Sequence, residues 1–329
     1  MEIIFLGTSA GTPTKSRNVS ATAVKKANSK LWSLIDCGEA TQHQILHTKL
    51  SLNNLESIFI THVHGDHCYG LPGLLASASL AGRITPLTII APALIQDFVE
   101  NTQRISKSSL SYKINFIHVE ECKEYTDGND FDVEFSELSH CVPSYAYTFC
   151  EKKIQGKLDI AKLQKDGIKA GPCWGEIHKG INQVLPDGRK INASDYILAD
   201  RKPRRIIVCG DNDTPALLTN AAGSANVLIH EATYTEDVSL KVGKASQHST
   251  AKTVAQFAEE VLINNLILTH FSPRYCRNKN SSPSIADIAN EAANYYSGSL
   301  FLANDFDMYL LNKDGELQLL SNKNKYVGQ

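Results

Sequence analysis

Four apolar, strand-like runs in this chain of 329 residues end on histidine or aspartate, and this pattern limits the fold more than any other feature. The residues that follow these runs are His62, His64, Asp66 and His67 after "SIFIT", His140 after "VEFSELS", Asp211 after "IIVCG" and His270 after "LILT". In layered α/β folds the carboxyl ends of strands meet at one edge of a sheet, so side chains that are distant in sequence converge there. The pattern therefore predicts one polar site at the strand ends of a layered fold.

Further strand-like runs alternate with helical patterns along most of the chain. The strand-like runs include "IIFLG", "LWSLID", "LTIIAP", "NVLIHEA" and "LFLANDF", and the helical patterns are "GLPGLLASASLAG", "PALIQDFVENTQRIS" and "STAKTVAQFAEEV". Alternation of this kind predicts sheets that helices cover in layers. Because no apolar run approaches the roughly 18 residues that a membrane-spanning helix needs, we expect no membrane partner.

The seven candidate ligands at the strand ends offer imidazole nitrogens and carboxylate oxygens, which suit zinc and related divalent ions. Seven donors exceed the three that one catalytic zinc takes from protein, so they predict two ions that share a carboxylate. Two ions about 3.5–4 Å apart activate a bridging water and stabilise the attacking and leaving oxygens of a displacement at phosphorus. The donor types accept manganese and magnesium as well as zinc.

Two short strings are candidates for proton transfer. "HEAT" begins at His230 directly after a strand-like run, and "HST" begins a predicted helix. A Glu231–His248 pair would hold an imidazolium near the metal ions, where it protonates a leaving alkoxide. From spacing alone, a core histidine at a helix cap explains His248 equally well.

The N-terminal string "FLGTSAGTPTKSRN" places glycines after a strand, as phosphate-binding loops do. Gly7 and Gly11 do not match the nucleotide-binding pattern, which needs Gly-Lys-Ser/Thr, so we expect no nucleotide cofactor. Lys15 and Arg17 are candidates for phosphate contacts. Simple surface charge explains these two residues equally well.

The segment 151–190 interrupts the alternation of strands and helices. It has nine Lys or Arg residues and five Asp or Glu residues, which gives +4, so the rest of a chain of net charge −2 carries −6. This asymmetry is typical of a binding surface for a polyanion, and also of a solvated insertion that its lysines keep soluble. Only 157–167, "KLDIAKLQKDG", has a helical pattern.

Taken together, these motifs resemble the metallo-β-lactamase superfamily and, within it, the ribonuclease Z branch. The H-x-H-x-D-H string with a later His, Asp and His resembles the superfamily. The loop Pro13 to Asn18 has the form Pro-x-Lys-x-Arg-Asn of the branch, and "DCGEATQHQ", "HEAT", "HST", "HFSPRY" and "ANDF" also match, in the same order, over residues 1 to 310. The resemblance implies an α/β fold, the metallo-β-lactamase αββα sandwich of two mixed β-sheets flanked by helices. It also implies a single such domain over residues 1–329, with 151–190 inserted as a protruding flexible arm.

The same resemblance implies a role for each candidate ligand. The implied sites are His62, His64 and His140 for one Zn2+ of the subunit, Asp66, His67 and His270 for the other, and Asp211 as the bridge. Asp66 would also orient or deprotonate the attacking water, and Glu231 and His248 would deliver a proton to the leaving oxygen. The string "GDNDT" departs from the usual Gly-Asp-Thr of the family, which leaves Asp213 as an alternative to Asp211.

The activity that the resemblance implies is removal of the 3′ trailer from precursor tRNA by a zinc-dependent endoribonuclease. A metal-bridging hydroxide would attack the phosphodiester after the discriminator base, leaving a 3′-hydroxyl on the tRNA and a 5′-phosphate on the trailer. Substrate contacts would come from Lys15, Arg17 and Arg274, and from Gly171 and Pro172 of the arm. In a homodimer, the arm of one subunit would clamp the tRNA that the other subunit cleaves.

Two other functions fit parts of the sequence. One is a hydrolase or phosphodiesterase of the same superfamily that acts on a small-molecule ester, and the other is an RNA-binding protein that kept the fold without catalysis. The complete ligand set argues against the second, and the basic segment argues against the first. Because the cysteines are scattered without a C-x-x-C pair, we expect thiols in a cytoplasmic protein.

Overall fold

The computed structural model of the chain describes residues 1–128, 130–152, 156–198, 201–276 and 281–320. The chain forms two compact units. The larger unit contains Met1–Cys150 and the chain from Arg204 onward, and the smaller unit contains Glu151–Pro203. The predicted insertion, 151–190, lies inside the smaller unit, which continues as far as Pro203.

The strands are β1 (Glu2–Gly7), β2 (Ala21–Lys25), β3 (Trp32–Ile35), β4 (Leu55–Phe59), β5 (Leu87–Ala91), β6 (Ile114–His118), β7 (Glu124–Asp127), β8 (Phe131–Leu138), β9 (Ser144–Glu151), β10 (Gln183–Val184), β11 (Lys190–Ile191), β12 (Arg205–Cys209), β13 (Val227–Glu231), β14 (Asn265–Thr269), β15 (Ser299–Leu302), β16 (Met308–Leu311) and β17 (Leu317–Leu320). The α-helices are α1 (Thr41–Leu46), α2 (Gly65–Cys68), α3 (Leu71–Leu80), α4 (Ala93–Ser106), α5 (Ile160–Lys165), α6 (Pro172–His178), α7 (Thr219–Ala222), α8 (Glu236–Val242), α9 (Ala251–Glu260) and α10 (Ile285–Ala293). Short 3₁₀ helices span Leu52–Asn54, Ala193–Tyr196, Pro215–Leu218 and Lys244–Ser246.

Two mixed sheets make up the larger unit. The first has the strand order β17-β16-β1-β2-β3-β4-β5-β6, with β3 to β6 parallel and the other neighbours antiparallel. The second has the order β15-β14-β13-β12-β9-β8-β7, with β12 to β15 parallel and β9 antiparallel to β12. Because β12, β13 and β14 are parallel neighbours, the residues that follow them lie along one edge of the sheet.

Alternating side chains place each sheet between two apolar layers. In the first sheet, Ile3 and Phe5 of β1 belong to a core that they share with Ile206 of the second sheet. Ile4 faces the opposite way and packs in a cluster with the buried sides of α3 and α4. Ile207 of the second sheet likewise packs in a cluster with α9 and α10. The order of layers is therefore helices, sheet, sheet, helices, which confirms the predicted sandwich of two mixed sheets.

The smaller unit has a core of its own. Its buried residues are Leu163 of α5, Ile168, Ile177 of α6, Ile191 of β11, Ala193 and Tyr196. The helical pattern predicted at 157–167 is confirmed by α5, whereas α6 was missed. α6 contains Pro172 and Gly175, and residues of these types are typical of turns, so the sequence did not indicate a helix there.

The other predicted helices are confirmed as α3, α4 and α9, and their bounds differ from the expected ones by two residues or fewer. β9 is among the strands that were not predicted, because it mixes polar with apolar residues and lacks the continuous apolar run that indicated the buried strands β13 and β14. Within the described residues, none of the helices combines the length and the apolar character needed to span a membrane.

Candidate metal centre

The strand ends of both sheets bring the seven predicted ligands together. In the first sheet, His62 and His64 follow β4, and α2 then carries Asp66 and His67. In the second sheet, the ligands His140, Asp211 and His270 follow β8, β12 and β14. The ligand atoms form three groups: His62, His64, His140 and Asp211 in the first, Asp66, His67 and His270 in the second, and Asp211, His248 and His270 in a third that links the first two.

A glycine allows the two sheets to approach each other at this point. A Cβ atom at Gly210 would lie 2.6 Å from Cβ of Thr61 and 2.7 Å from Oγ of Ser144, so a larger residue would push the strand ends apart. Gly210 directly precedes Asp211, and Thr61 directly precedes His62. The close approach therefore sets the separation between ligands of the first sheet and ligands of the second.

The first group has the spacing of atoms that share one ion. His64 Nδ1 lies 3.1 Å from His62 Nε2 and 3.2 Å from His140 Nε2. Asp211 Oδ2 lies 3.6 Å from His62 Nε2 and 3.7 Å from His140 Nε2. Donors bound at about 2.0–2.1 Å around a tetrahedral zinc ion are separated by distances of about this size.

The second group has the same spacing and shares Asp211. His67 Nε2 lies 3.2 Å from His270 Nε2, and Asp66 Oδ2 lies 3.3 Å from the same atom of His270. Asp211 Oδ1 lies 3.4 Å from both His67 Nε2 and His270 Nε2. One carboxylate oxygen of Asp211 thus faces each group, which is the arrangement that a bridging ligand needs.

Hydrogen bonds orient four of the histidines through the ring nitrogen that does not face the centre. His140 Nδ1 donates to the carbonyl oxygen of Gln247 at 2.9 Å, and His67 Nδ1 donates to Asp36 Oδ2 at 2.7 Å. His62 Nδ1 lies 3.0 Å from Thr61 Oγ1, and His270 Nδ1 lies 3.0 Å from Thr233 Oγ1. These partners take the Nδ1 proton and leave the Nε2 lone pair free for a metal ion.

Charge in the centre is balanced between buried carboxylates and imidazoles. Burial alone would lower the pKa of His67, but the carboxylates of Asp211, Asp36 and Asp66 raise it to about 10. Burial alone would raise the pKa of Asp66, but His67, His270 and the Gly11 N–H hold it well below its usual value. Without a metal ion the centre therefore binds protons that a cation would displace.

Glu231 and His248 form the pair that the sequence suggested. His248 Nδ1 lies 3.0 Å from Glu231 Oε2 and 3.2 Å from Oε1. Burial alone would lower the pKa of His248, but Glu231 raises it to about 9, so the imidazole is charged at neutral pH. Thr233 Oγ1 donates to Oε2 of Glu231, which fixes the carboxylate. Asp211 Oδ2 is 3.8 Å from His248 Nδ1, so the charged imidazole lies beside the centre.

Two residues of the centre have a left-handed backbone that is rare outside glycine. Asp36, which orients His67, has φ 60°, and His270 has φ 56°. This conformation costs roughly 1–2 kcal/mol per residue. Strain of this kind persists where surrounding structure holds it, and it clusters at functional sites.

The two candidate phosphate contacts of the N-terminal loop differ in exposure. Lys15 is exposed, whereas Arg17 is only 6% exposed. The Arg17 guanidinium donates to Thr8 Oγ1 at 2.6 Å and to the Ala303 carbonyl oxygen at 2.7 Å, and it stacks 4.8 Å from the centre of the Phe271 ring. These contacts hold the loop against the end of the chain, and Arg17 also lines a pocket together with Lys15, so its phosphate contact stays a prediction.

The other predicted substrate residues lie at separate places. Arg274 is exposed and lines an open pocket of about 560 Å³ with His248, Tyr234 and Thr12. Gly171 and Pro172 are exposed at the start of α6 in the smaller unit. Asp213 is not part of either ligand group among the described residues, and its Oδ1 accepts from Thr214 Oγ1.

Sequence reasoning missed several residues that build the centre. Asp36, Thr233 and the carbonyl of Gln247 contact ligand histidines but are not ligands themselves, so no metal-binding motif contains them. A signal existed for Asp36, because a carboxylate directly follows the apolar strand "LWSLI". Gly11 also has an unexpected use, since its N–H donates to Asp66 Oδ2 at 2.6 Å. The N-terminal glycine loop therefore helps to hold the ligand Asp66 in place.

Comparisons with known proteins agree with this site. Residues 1–165 match the family model described as Anti-Pycsar protein Apyc1. A protein of Marinobacter nauticus named Ribonuclease Z is 50% identical over 317 residues, which are 96% of this chain and 98% of that protein.

Two solved structures resemble the whole chain. The crystal structure of human tRNase Z, short form, has a TM-score of 0.64 and 26% identity, and the match covers 95% of this chain and 100% of that chain. A metallo-β-lactamase fold protein of Bacillus subtilis has a TM-score of 0.64 at 17% identity, over 93% of this chain and 98% of that one. The second likeness confirms the predicted fold class.

Proposed function

This chain belongs to the ribonuclease Z family, and from this premise we propose how its metal centre removes the 3′ trailer from precursor tRNA. The nearly full-length relative and the solved tRNase Z structure confirm the predicted identity as a tRNA 3′-processing endoribonuclease. The Apyc1 match ends at residue 165, before Asp211, Glu231, His248 and His270, so the full-length relatives define the family. The single observation that carries the mechanism is Asp211, whose two oxygens face two ligand groups.

We propose that the two groups hold two Zn2+ ions per subunit. The donor set fits, because nitrogen and oxygen atoms 3.1–3.7 Å apart converge and Nδ1 of His62, His67, His140 and His270 has another partner. Mn2+ or Mg2+ would find the same donors. When bound, a pair of ions supplies an activated water and stabilises charge on the phosphodiester oxygens.

The chain's own side chains then orient the reactants and move the proton. Asp66 remains a carboxylate, held by the Gly11 N–H, and it orients the attacking water. His248 is held by Glu231 through Nδ1 and lines the open pocket, so Nε2 is the atom that donates a proton to the leaving 3′ oxygen. This geometry favours a leaving group that would otherwise depart as an alkoxide.

Exposed cationic groups near this pocket are the proposed phosphate contacts. Arg274 lines the pocket beside His248, and Lys15 lines an adjoining pocket of about 250 Å³. Ser272 and Pro273 line both pockets, so the two cationic groups lie along one path. Such a path suits a polyanionic strand that leads to the reacting phosphodiester.

We propose that the smaller unit is the arm that binds the body of the tRNA. It carries the basic segment 151–190, of charge +4, on a chain of net charge −2. Lys165 and Lys169 are exposed in this unit, and Gly171 and Pro172 are exposed beside them. Folded RNA is recognised largely through its backbone and shape, for which exposed lysines are suited. By resemblance to the family, we propose a homodimer in which each arm serves the partner's centre.

We also propose that the enzyme works in the cytoplasm. Cys37 and Cys68 are buried free thiols, and burial raises the pKa of Cys68 to about 12. Buried thiols of this kind are typical of proteins in a reducing compartment.

The decisive experiment removes the smaller unit and compares two substrates. Cys150 of β9 and Arg205 of β12 are opposite each other in an antiparallel register, so a short Gly-Asn turn can replace 151–203. We expect the intact protein to cleave a precursor tRNA at the acceptor end. The shortened protein should lose roughly 10²-fold or more on precursor tRNA, since the arm contributes several phosphate contacts, and still hydrolyse bis(p-nitrophenyl) phosphate.

The possible failures have different meanings. Equal loss on both substrates would contradict the role of the arm. No cleavage of any precursor tRNA by the intact protein, together with turnover of a small ester, would instead favour a small-molecule hydrolase or phosphodiesterase. Sedimentation analysis of the same preparations tests the homodimer.

A further inference from the structure

Asn212 is fully buried beside the metal centre, in the string "GDNDT". It follows the bridging candidate Asp211 directly. Its hydrogen bonds connect it to Glu231 and to the sequence neighbours of His140, His248 and Glu231. Asn212 therefore lies between the metal ligands and the proton donor pair.

The main chain of Asn212 already connects the metal centre to the proton donor pair. Its N–H donates to Glu231 Oε1 at 2.7 Å. Its carbonyl oxygen accepts from Ser249 Oγ at 2.6 Å, and Ser249 is the neighbour of His248. A residue of any type at this position would keep these two bonds.

The side chain of Asn212 adds bonds at two sites, its oxygen and its nitrogen, which only an amide supplies together. Oδ1 accepts from the N–H of Ser139, the neighbour of His140, at 3.2 Å and from the N–H of Thr214 at 3.2 Å. Nδ2 lies 3.0 Å from His230 Nε2. Because His230 Nδ1 donates to the carbonyl oxygen of Glu231 at 2.8 Å, Nε2 is the acceptor and the amide nitrogen donates to it. The shorter side chain of threonine has a single hydroxyl for these two sites, and aspartate has no donor for His230.

We propose that Asn212 is a positioning residue that couples the metal centre to the proton donor. It fixes the loop that carries His140 relative to the strand end that carries Glu231. His248 therefore stays aligned with the leaving oxygen. The inference rests on the proposed function, in which His248 donates that proton. The ligands themselves keep their own partners, such as the Gln247 carbonyl for His140, so metal binding does not depend on the amide.

The effect of Asn212 is therefore expected on proton delivery rather than on the metal ions. Loss of the amide removes the acceptor of the Ser139 and Thr214 N–H groups and the donor to the buried His230 Nε2. A shift of the Glu231–His248 pair by a fraction of an ångström then misplaces the donor. Such a shift slows the reaction only when the leaving atom needs a proton.

The experiment compares two precursor tRNAs that differ in one atom. One has the ordinary 3′ oxygen at the scissile position, and the other has sulfur there, which departs as a thiolate without protonation. The variants are Asn212→Ala, Asn212→Thr and His248→Ala, and the matched control is Asn265→Ala. Asn265 is also a buried amide, and it donates to the carbonyl oxygens of Asn226 and Gly315 at 2.8 and 3.1 Å. Bound metal is measured by mass spectrometry for every variant.

We expect the loss of kcat on the oxygen substrate to be about 10²-fold for His248→Ala, as is usual for a general acid, and about 10-fold for Asn212→Ala. Both variants should recover to within about threefold of the parent on the sulfur substrate, because that leaving group needs no acid. Asn212→Thr should fall between the parent and Asn212→Ala. Asn265→Ala should show no difference between the substrates, and all variants should keep the metal content of the parent.

The outcomes that overturn the inference are distinct from those that overturn the proposed function. If His248→Ala is selective for the oxygen substrate and Asn212→Ala is not, the coupling by Asn212 is wrong and the role of His248 stands. Loss of metal in Asn212→Ala would also contradict it, since the residue would then support the ligands. If His248→Ala slows both substrates equally, His248 is not the proton donor and both ideas fail.

Discussion

The metal centre and the smaller unit differ in the exposure of their polar residues. In the centre, His62, His67, Asp211 and His270 are buried, and each of these three histidines is fixed by a further contact. In the smaller unit, basic residues such as Lys165 are exposed on a framework that has only a small core. The difference indicates that chemistry depends on fixed geometry, whereas binding of a polyanion depends on exposed charge.

This comparison has consequences for the effects of mutations. A buried ligand has several partners, so its loss leaves other buried groups unsatisfied and disturbs the ion it shares. An exposed lysine interacts with phosphate through solvent-screened charge, so its loss costs little and depends on salt. The following predictions test the contrast, from the largest expected effect to the smallest.

The largest effect is expected at Asp211. Asp211→Ala removes the carboxylate that faces both ligand groups, so bound metal should fall well below two per chain. Cleavage of precursor tRNA should fall by about 10³-fold or more, because the ions stabilise the transition state by several kcal/mol. Metal analysis and single-turnover cleavage measure both quantities.

Asp213→Ala is the matched control for this prediction. Asp213 lies two residues further along the chain and is only partly buried, and its Oδ1 accepts from Thr214 Oγ1. It should keep the metal and the activity of the parent. A loss of both in Asp213→Ala, with both retained in Asp211→Ala, would reverse the assignment of the bridge.

The second effect concerns a residue that supports a ligand and is not a ligand itself. Asp36→Asn replaces the carboxylate that accepts from His67 Nδ1, and it should weaken zinc affinity roughly 10- to 100-fold. Competition with a coloured chelator measures this affinity. The matched control is Asp127→Asn. Asp127 is also a buried carboxylate, but it accepts hydrogen bonds from Ser33 and Ser57, which belong to strands of the first sheet. An equal loss of affinity in both variants would contradict the specific role of Asp36.

The third effect is a pH dependence of stability in the metal-free protein. Glu231 raises the pKa of His248 from 6.5 to about 9, against the effect of burial. The His248–Glu231 pair therefore stabilises the fold fully below pH about 6.5, and this contribution is lost as pH rises through about 9. A shift of this size corresponds to roughly 3 kcal/mol.

A double-mutant cycle isolates this contribution. Urea unfolding of the parent, His248→Gln, Glu231→Gln and the double variant gives the coupling free energy at each pH. We expect the coupling to be largest near pH 6 and close to zero above pH about 10. A coupling that does not change over this range would show that the pair does not titrate as described.

The smallest effect is expected in the smaller unit. Lys165→Ala and Lys169→Ala should each weaken binding of precursor tRNA by roughly 1 kcal/mol or less and lower the slope of log affinity against log salt by about 0.7–0.9. The matched control is Lys113→Ala, since Lys113 is exposed in the larger unit. Filter binding at several salt concentrations measures the slopes, and equal changes for all three lysines would contradict a local binding surface.

The accuracy of prediction from sequence follows the same division. Alternation of apolar strands and helices predicted the layered sandwich, because the periodic pattern of buried positions is visible in residues that are close in the sequence. The string from His62 to His67 predicted a metal centre, because such ligand types have no ordinary packing role. The helix α6 and the strand β9 could not be predicted in this way, because α6 contains Pro172 and Gly175 and β9 mixes polar with apolar residues.

Residues that act through other residues were the hardest to predict. Thr233 belongs to the recognised string "HEAT", but its contact with His270 joins positions 37 residues apart. Arg17 belongs to a recognised loop, yet its burial against Ala303 and Phe271 depends on the far end of the chain. Contacts of this range are fixed by packing of the two sheets and leave no periodic signal in the sequence.

The sequence by itself determined the fold class, the family, the ligand types and the likeness to a tRNA 3′-processing endoribonuclease. These properties depend on residue identity and on local order along the chain. Only the tertiary structure decided that Asp211 presents one oxygen to each ligand group, that Asp36 and Thr233 orient histidines, and that Arg17 is buried against the far end of the chain. The physical reason is that the direction and burial of a side chain depend on which distant strands pack together. At Gly210, the close approach of the two sheets determines that packing.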